Sequence, residues 1–285
     1  MSQYRYDVAM ALRVYPKPSA AAPAVYADDK LKLVEFCFKS FVESAKGLRV
    51  KLWLILNSCP PEYEAMFRKY WPAEDLVVQY YPGVPPGTTL HEQSRFLIEQ
   101  TDAPIVYFSE DDYFFLPGQF KLAVDLMCQF DDVDFISLYD HPDMHNVDLH
   151  RIRRETRQFA GKNWFTALST THSFMARHEI LKRNDWLFLT FNNKTNPDLG
   201  MWMALTKLRV FNVFKFLQWL PRNKFWSGSI LYSWYYFWRQ IVFGRRYKLW
   251  VASPAIATHM VATLEAPGVD WRREFALRMP EKTQT

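Results

Sequence analysis

Cysteine is scarce: Cys37, Cys59 and Cys128 are the three in 285 residues, an odd number without metal-ligand spacing, each within or at the end of an apolar run. A reducing compartment is the simpler expectation. No secretory leader is expected either, because Tyr4, Arg5, Asp7 and Arg13 interrupt the stretch from Met1 to Tyr15 where its apolar centre would belong. The expected location is therefore cytoplasmic. No stretch supplies the roughly 20 apolar residues of a membrane helix. No glycine-rich phosphate loop follows the first apolar run, which ends in Tyr15-Pro16-Lys17-Pro18. Acidic residues are absent from one long segment. Between Asp198 and Glu265 there is none, against nine bases (Lys207, Arg209, Lys215, Arg222, Lys224, Arg239, Arg245, Arg246 and Lys248). Outside that segment 26 basic residues face 30 acidic ones, so the formal charge of +5 is owed to one C-terminal region.

What is present reads as alternating β and α units. Tyr6 to Val14 predicts a first strand that runs into Pro16 and Pro18. Leu31, Val34, Phe38, Phe41 and Val42 recur at helical spacing, with Asp28 or Asp29 as N-cap and Gly47 closing the end. Further strands are expected at Lys51 to Leu56, Leu76 to Tyr80, Ile105 to Phe108 and Phe135 to Leu138. Helices are expected at Glu62 to Tyr70, at Leu90 to Gln100, and from Pro117-Gly118 through Met127. This order predicts an open, mostly parallel α/β sheet flanked by helices, whose ligands lie beyond the carboxyl ends of the strands. The end from Met279 to Thr285 is expected to fray.

One strand end carries three carboxylates in a row, Glu110-Asp111-Asp112, followed by Tyr113, Phe114 and Phe115. Joint ionisation of such neighbours is costly unless something cationic neutralises them, and a divalent metal is the natural partner. Hard carboxylate oxygens suit Mg²⁺ or Mn²⁺, whose open positions accept diphosphate oxygens. The same tripeptide could sit in a solvated turn, but here it follows a buried strand at the ligand edge of the sheet.

The run Tyr107-Phe108-Ser109-Glu110-Asp111-Asp112-Tyr113-Phe114 resembles the DXD-type element of GT-A glycosyltransferases, particularly bacterial family 2-like enzymes. Further segments are similar in the same order: Leu138-Tyr139-Asp140-His141-Pro142-Asp143, Ser169-Thr170-Thr171-His172-Ser173-Phe174-Met175, Ala257-Thr258-His259 and Ala266-Pro267-Gly268-Val269-Asp270-Trp271. The resemblance runs from Tyr6 to about Trp271 and leaves Arg209 to Trp250 without a counterpart. It implies a GT-A (Rossmann-like) fold and a nucleoside diphosphate sugar as donor. Asp112 is the implied direct metal ligand and His259 the second, while Glu110 or Asp111 binds ribose or reaches the metal through water. Arg13, Tyr15 and Asn57 stand where such enzymes bind the nucleotide base.

An inverting transfer needs a carboxylate to deprotonate the acceptor hydroxyl. Asp198 is the candidate, in Asn196-Pro197-Asp198, where Asn196 caps and Pro197 begins a helix; an acid there also complements the helix dipole. Asp140, His141 and Asp143 compete for an acceptor or catalytic role, and Ser169, Thr170, Thr171 and His172 are expected on the acceptor side.

Val210 to Trp250 interleaves aromatic and basic residues. Rings at the headgroup boundary with cations on anionic lipid are what an interfacial segment uses; completion of the core or of a subunit interface is the competing reading. The expected organisation is a core over 1–208, a basic aromatic helical segment over 209–250, and a return to the core with His259 over 251–285. Transfer of a sugar to a saccharide or lipid-linked saccharide, in bacterial surface glycan assembly on the inner face of the plasma membrane, is the leading expectation. A nucleotidyltransferase and a non-catalytic membrane adaptor are the alternatives, and no nucleic-acid partner is expected.

Overall fold

The apolar runs assemble into the middle of one nine-stranded sheet. The computed structural model describes residues 4–17, 23–192 and 198–279. Its strands are β1 (Val8–Val14), β2 (Val50–Asn57), β3 (Leu76–Tyr81), β4 (Ile105–Glu110), β5 (Tyr113–Phe115), β6 (Phe135–Ser137), β7 (Thr156–Phe159), β8 (Lys162–Ala167), β9 (Phe174–Arg177), β10 (Leu249–Ser253) and β11 (Ala257–His259). The sheet order is β3-β2-β1-β4-β9-β6-β10-β8-β7, with β11 and β5 forming a small separate ribbon. Parallel pairing joins β3, β2, β1 and β4, and also β6 with β10. Strands β9 and β8 run against the others. The architecture is the expected mostly parallel α/β sheet.

All seven residues of β1 are buried, as a central strand covered on both faces requires. Alternate residues serve different cores. Met10 and Leu12 face the helix Lys30–Ser44, while Ala9 and Ala11 face the side built by the helices Pro86–Glu99, Asp198–Thr206 and Lys224–Phe243. Each large apolar side chain fully withdrawn from water in these layers contributes roughly 1.5–3 kcal/mol.

Helix Lys30–Ser44 starts where the spacing predicts, with Asp29 as its cap through Lys32 N at 3.0 Å. Gly47 lies beyond its end at a positive φ of 86°, in the turn that leads to β2. Pro117-Gly118 does not open the next helix, which starts at Phe120; Gly118 instead takes a positive φ of 66° in the preceding turn. Asn196 and Pro197, the expected cap and first residue before Asp198, lie outside the described residues, as do 280–285 at the end expected to fray.

The segment 209–250 packs onto the core. Its helices Val213–Trp219 and Lys224–Phe243 bury Trp219, Ile230, Phe237 and Ile241 against the core. Its last residues already belong to β10, with Trp250 buried in the middle of the sheet, so the return to the core begins at Leu249. Ser233 Oγ donates to the carbonyl of Gly200 at 2.9 Å, and a Cβ at Gly200 would stand 3.1 Å from the Tyr232 ring. Glycine is what lets the two helices approach this closely.

Several bases of the segment are answered by acids of the core. Arg245 pairs with buried Asp134 at 2.8 Å, Lys248 with Asp132 at 3.0 Å and Glu155 at 2.7 Å, and Lys215 with Asp148 at 2.9 Å. Arg209 caps the carbonyls of Asp148, Leu149 and Arg151, and Arg246 donates to that of Thr206. The charge imbalance of the sequence is thus partly a division of ion pairs between distant stretches. No helix among the described residues is long and apolar enough to cross a membrane.

Candidate active site

The carboxylate run ends β4 at the carboxyl edge of the sheet, and register decides what meets it. Arg13 is the Cα partner of Glu110 on the neighbouring parallel strand, and its Nη2 lies 2.5 Å from Glu110 Oε1. Lys30 opens the helix that packs on β5, through Phe36 stacked on Phe114 and Ser40 Oγ accepting from Phe115 N. That docking sets Lys30 Nζ 2.6 Å from Asp111 Oδ1. In the small ribbon His259 is the partner of Tyr113, so its ring reaches the preceding residue, with Nε2 3.2 Å from Asp112 Oδ2.

Three acids therefore meet three bases of the same chain. Burial pushes the Asp111 carboxyl up to about 6, with Lys30 working against the shift and Asp112 adding to it. Burial also works against ionised Asp112, but the hydrogen bond and charge of His259 outweigh it and its pKa is lowered. For His259 burial opposes protonation, and Asp112 overrides it, so that pKa is raised.

Two atoms beside these pairs are free to take a metal. Asp112 Oδ1 and His259 Nδ1 are both buried and without a hydrogen-bond partner among the described residues. No group of three metal-ligating side chains occurs among those residues. The donor set fits a hard divalent ion that takes two ligands from the protein and the rest from diphosphate and water.

A cleft of about 260 Å³ opens here, lined by Arg13, Tyr15, Lys17, Lys30, Glu110, Asp111 and Asp112. Tyr15 contributes its backbone N–H, which donates to Asp111 Oδ2 at 2.8 Å, while its hydroxyl bonds Thr89. Asn57 is not in the cleft. Its side chain is 3% exposed, accepts from the N–H groups of Gly83 and Val84, and donates to the Val84 carbonyl. Direct base contact by Asn57 gives way to a clamp on the loop after β3, because its amide is committed there.

A second cavity, of about 210 Å³, is lined by His141, Asp143, Ser169, Thr170, Thr171 and Asp198, with His150, Phe225 and Trp226 among the residues closing it. Most of the expected acceptor residues thus meet in one place. Asp140 does not line it: the side chain is 1% exposed and holds His145 Nε2 at 2.7 Å. Its burial makes it a support for the following turn. His141 Nδ1 accepts from the N–H of Asp143 at 3.0 Å, which leaves Nε2 to carry the proton. Thr170 Oγ1 donates to Ser137 at 2.7 Å, so part of this hydroxyl cluster satisfies its own neighbours.

Asp198 begins the helix Asp198–Thr206 and lies 3.1 Å from His172 Nε2. Burial raises its pKa, and the charges of His172 and Arg13 pull it back while Glu110 adds to the rise. The two cavities adjoin. Tyr113 OH bonds Thr171 Oγ1 at 2.9 Å, and the Tyr139 ring stands 5.3 Å from His141 and 6.4 Å from His259.

Sequence reasoning missed Lys30, Lys17, His150 and the aromatic pair Phe225 and Trp226. A lysine at a helix start carries no local sign of a distant carboxylate. The need for cations beside three acids was the available signal, and only the packing of the first helix names the donor. His150, held neutral by burial with its pKa lowered to about 4, is equally invisible in a list of motifs.

No family model and no curated protein matches this sequence. Similar solved structures include a mannosyltransferase, PcManGT, from Pyrobaculum calidifontis in complex with GDP-Man and Mn²⁺, at 17% identity and TM-score 0.40, covering 64% of this chain and 47% of that one. TarS 1-349 of S. aureus in complex with UDP is similar at 12% identity and TM-score 0.46, over 70% of this chain and 54% of that one. Glucosyl-3-phosphoglycerate synthase from Mycobacterium tuberculosis, with Mn²⁺, UDP-glucose and phosphoglyceric acid, is similar at 13% identity and TM-score 0.35, over 61% and 57%. The chain spans about half the length of these solved structures. With TM-scores below 0.5 these likenesses bear no weight on function; the side-chain geometry does.

Proposed function

We propose that this chain is a GT-A type glycosyltransferase that moves a sugar from a nucleoside diphosphate to a hydroxyl of a saccharide or lipid-linked saccharide. The observation that carries the reading is the adjoining of two unlike cavities at the carboxyl edge of the sheet. One sets Arg13, Lys17 and Lys30 beside a carboxylate run, as a diphosphate with a metal requires. The other presents hydroxyls, a neutral histidine and a half-buried carboxylate, as an acceptor requires.

Asp112 and His259 are the residues that would hold Mn²⁺ or Mg²⁺, with Glu110 and Asp111 held in place by Arg13 and Lys30. Such an ion supplies Lewis-acid stabilisation of the charge on the departing diphosphate. Arg13, Lys17 and Lys30 orient the phosphates. Asp198 takes the proton as the acceptor oxygen forms its bond to the anomeric carbon and the bond to the diphosphate oxygen breaks, which inverts that carbon. His172 holds Asp198 in line. Ser169, Thr170 and Thr171 hydrogen-bond the incoming saccharide, and His141 presents its Nε2–H. The setting is assembly of a bacterial surface glycan at the cytoplasmic face of an anionic membrane, reached by the exposed aromatic helices.

Calorimetric titration of nucleoside diphosphates with and without Mn²⁺ tests the donor site. Metal-dependent binding that is lost in Asp112→Ala supports it; preference for a triphosphate favours nucleotidyl transfer, and no binding favours a non-catalytic adaptor. Asp198→Asn is expected to keep donor binding and to lower nucleotide-sugar turnover about 10²–10⁴-fold. Turnover retained in that variant removes Asp198 as the base.

A further inference from the structure

The largest cavity described lies away from the carboxylate edge, at the other end of helix Lys224–Phe243. Its volume is about 460 Å³, and its wall contains three arginines, Arg183, Arg239 and Arg245, with no acidic side chain. The floor is built and rigid. Asn184 donates to Tyr247 OH at 2.9 Å and to the Ile180 carbonyl, and Gln240 donates to the Arg245 carbonyl at 2.7 Å; all three side chains of that floor are buried. Gly244 is required beneath it, since a Cβ there would run into the Gln240 side chain. Arg245 is committed to Asp134, whereas Arg183 and Arg239 have no ion-pair partner among the described residues.

The rim is apolar. Trp186 and Phe243 line the cavity and are 39% and 77% exposed. The same helix, kinked at Phe237, carries a stripe of Leu231, Tyr235, Trp238 and Val242 at three- and four-residue spacing, all exposed, beside its buried stripe of Ile230, Phe237 and Ile241. Of the fifteen large apolar side chains left exposed among the described residues, twelve fall between Phe211 and Phe243. An apolar face on this scale is not that of an ordinary soluble surface.

We propose that this three-arginine cavity binds the phosphodiester headgroup of an anionic membrane lipid, with the flanking aromatic stripe seated at the headgroup boundary. Guanidinium forks match phosphate oxygens bidentately, and exposed tryptophan and tyrosine beside them belong at the water–lipid interface. Charge complementarity selects lipid as the occupant: a segment with no acid from Leu199 to Leu264 presents unpaired Arg239, beside Arg183 of the helix His178–Arg183, next to its apolar face. The proposal rests on the membrane-docking part of the proposed function and is independent of the sugar chemistry.

Co-sedimentation of the full chain with vesicles of phosphatidylcholine alone, and of phosphatidylcholine with phosphatidylglycerol, tests it. The wild type is expected to bind both and to prefer the anionic vesicles. Arg183→Gln with Arg239→Gln is expected to reduce that preference on the order of 10-fold, since each basic residue at the surface contributes severalfold, while binding to neutral vesicles persists. Trp238→Ser is expected to weaken binding to both. Undiminished anionic preference in the double variant overturns the cavity assignment alone. Absence of binding by the wild type to either vesicle overturns docking and cavity together and leaves the sugar-transfer reading intact. Self-association of the vesicle-free protein that the double variant abolishes overturns the proposal in favour of a second copy of the chain.

Discussion

At the carboxyl edge of the sheet every member of a costly charge cluster finds its counterpart inside the protein: Glu110 meets Arg13, Asp111 meets Lys30, and Asp112 meets His259. In the segment 209–250 Lys215, Arg245 and Lys248 are answered too, by Asp148, Asp134 and Asp132, but the outward apolar side chains of its helices are not. A site that must bind and release a charged ligand keeps its carboxylates ready by pairing them with bases that can shift to the ligand. A surface that must find another phase leaves its apolar groups without partners. The contrast separates the chemistry of the chain from its placement.

Four measurements press on that contrast. Arg245→Ala has the largest expected effect on stability, because it strips buried Asp134 of its cation and leaves it the backbone N–H of Lys248 alone. A loss of about 2 kcal/mol is expected by chemical denaturation; a loss below the error of the method shows the pair to be a surface decoration. Gly200→Ala forces a methyl group to within 3.1 Å of the Tyr232 ring and should cost about 1–2 kcal/mol, together with turnover, since Asp198 stands on the same helix.

The third measurement is a pH profile. Burial raises the Asp198 pKa, so the carboxylate needed as base forms only as pH rises through a value above the ordinary carboxylate range, and the acid limb of turnover should lie there. His172→Ala removes the charge that favours the ionised form and should move that limb to still higher pH, leaving donor affinity unchanged. An unmoved limb assigns the proton transfer elsewhere. Last and smallest, Phe214→Ser alters a side chain that is 89% exposed and should change stability by less than about 0.5 kcal/mol while weakening vesicle binding. A marked loss of stability instead makes this face a covered one.

Most of the sheet could be read in advance where the strands are apolar and the helices periodic: β1, β2, β3 and β4 fall within a few residues of their expected spans. The strand β10 was legible as the apolar run from Trp250, but its start was masked, because it follows directly on a basic aromatic run. The pairing of Tyr113–Phe115 with Ala257–His259 was also out of reach, since three-residue strands from opposite parts of the chain carry no period. His259 was nonetheless legible, just beyond the apolar run Trp250 to Ile256 and named as a ligand by the resemblance. Its partner Asp112 followed from resemblance, while Lys30 followed from neither pattern nor motif. Local periodicity describes what an element buries, and only the docking of elements describes which charges converge.

Helix Lys224–Phe243 touches both cavities, with Phe225 and Trp226 at the acceptor end and Arg239, Gln240 and Phe243 at the arginine end. Between the two ends the helix is kinked at Phe237, where φ is −120° and ψ 20°, so that bend sets how far apart they lie. Taken together, the two proposals would make the helix a measuring rod: with one end held at a lipid phosphate, the hydroxyl that receives the sugar would be chosen by its distance from that anchor as well as by its chemistry. An acceptor whose carrier arm is too short or too long for that span would be turned away without any contact in the pocket that reads it.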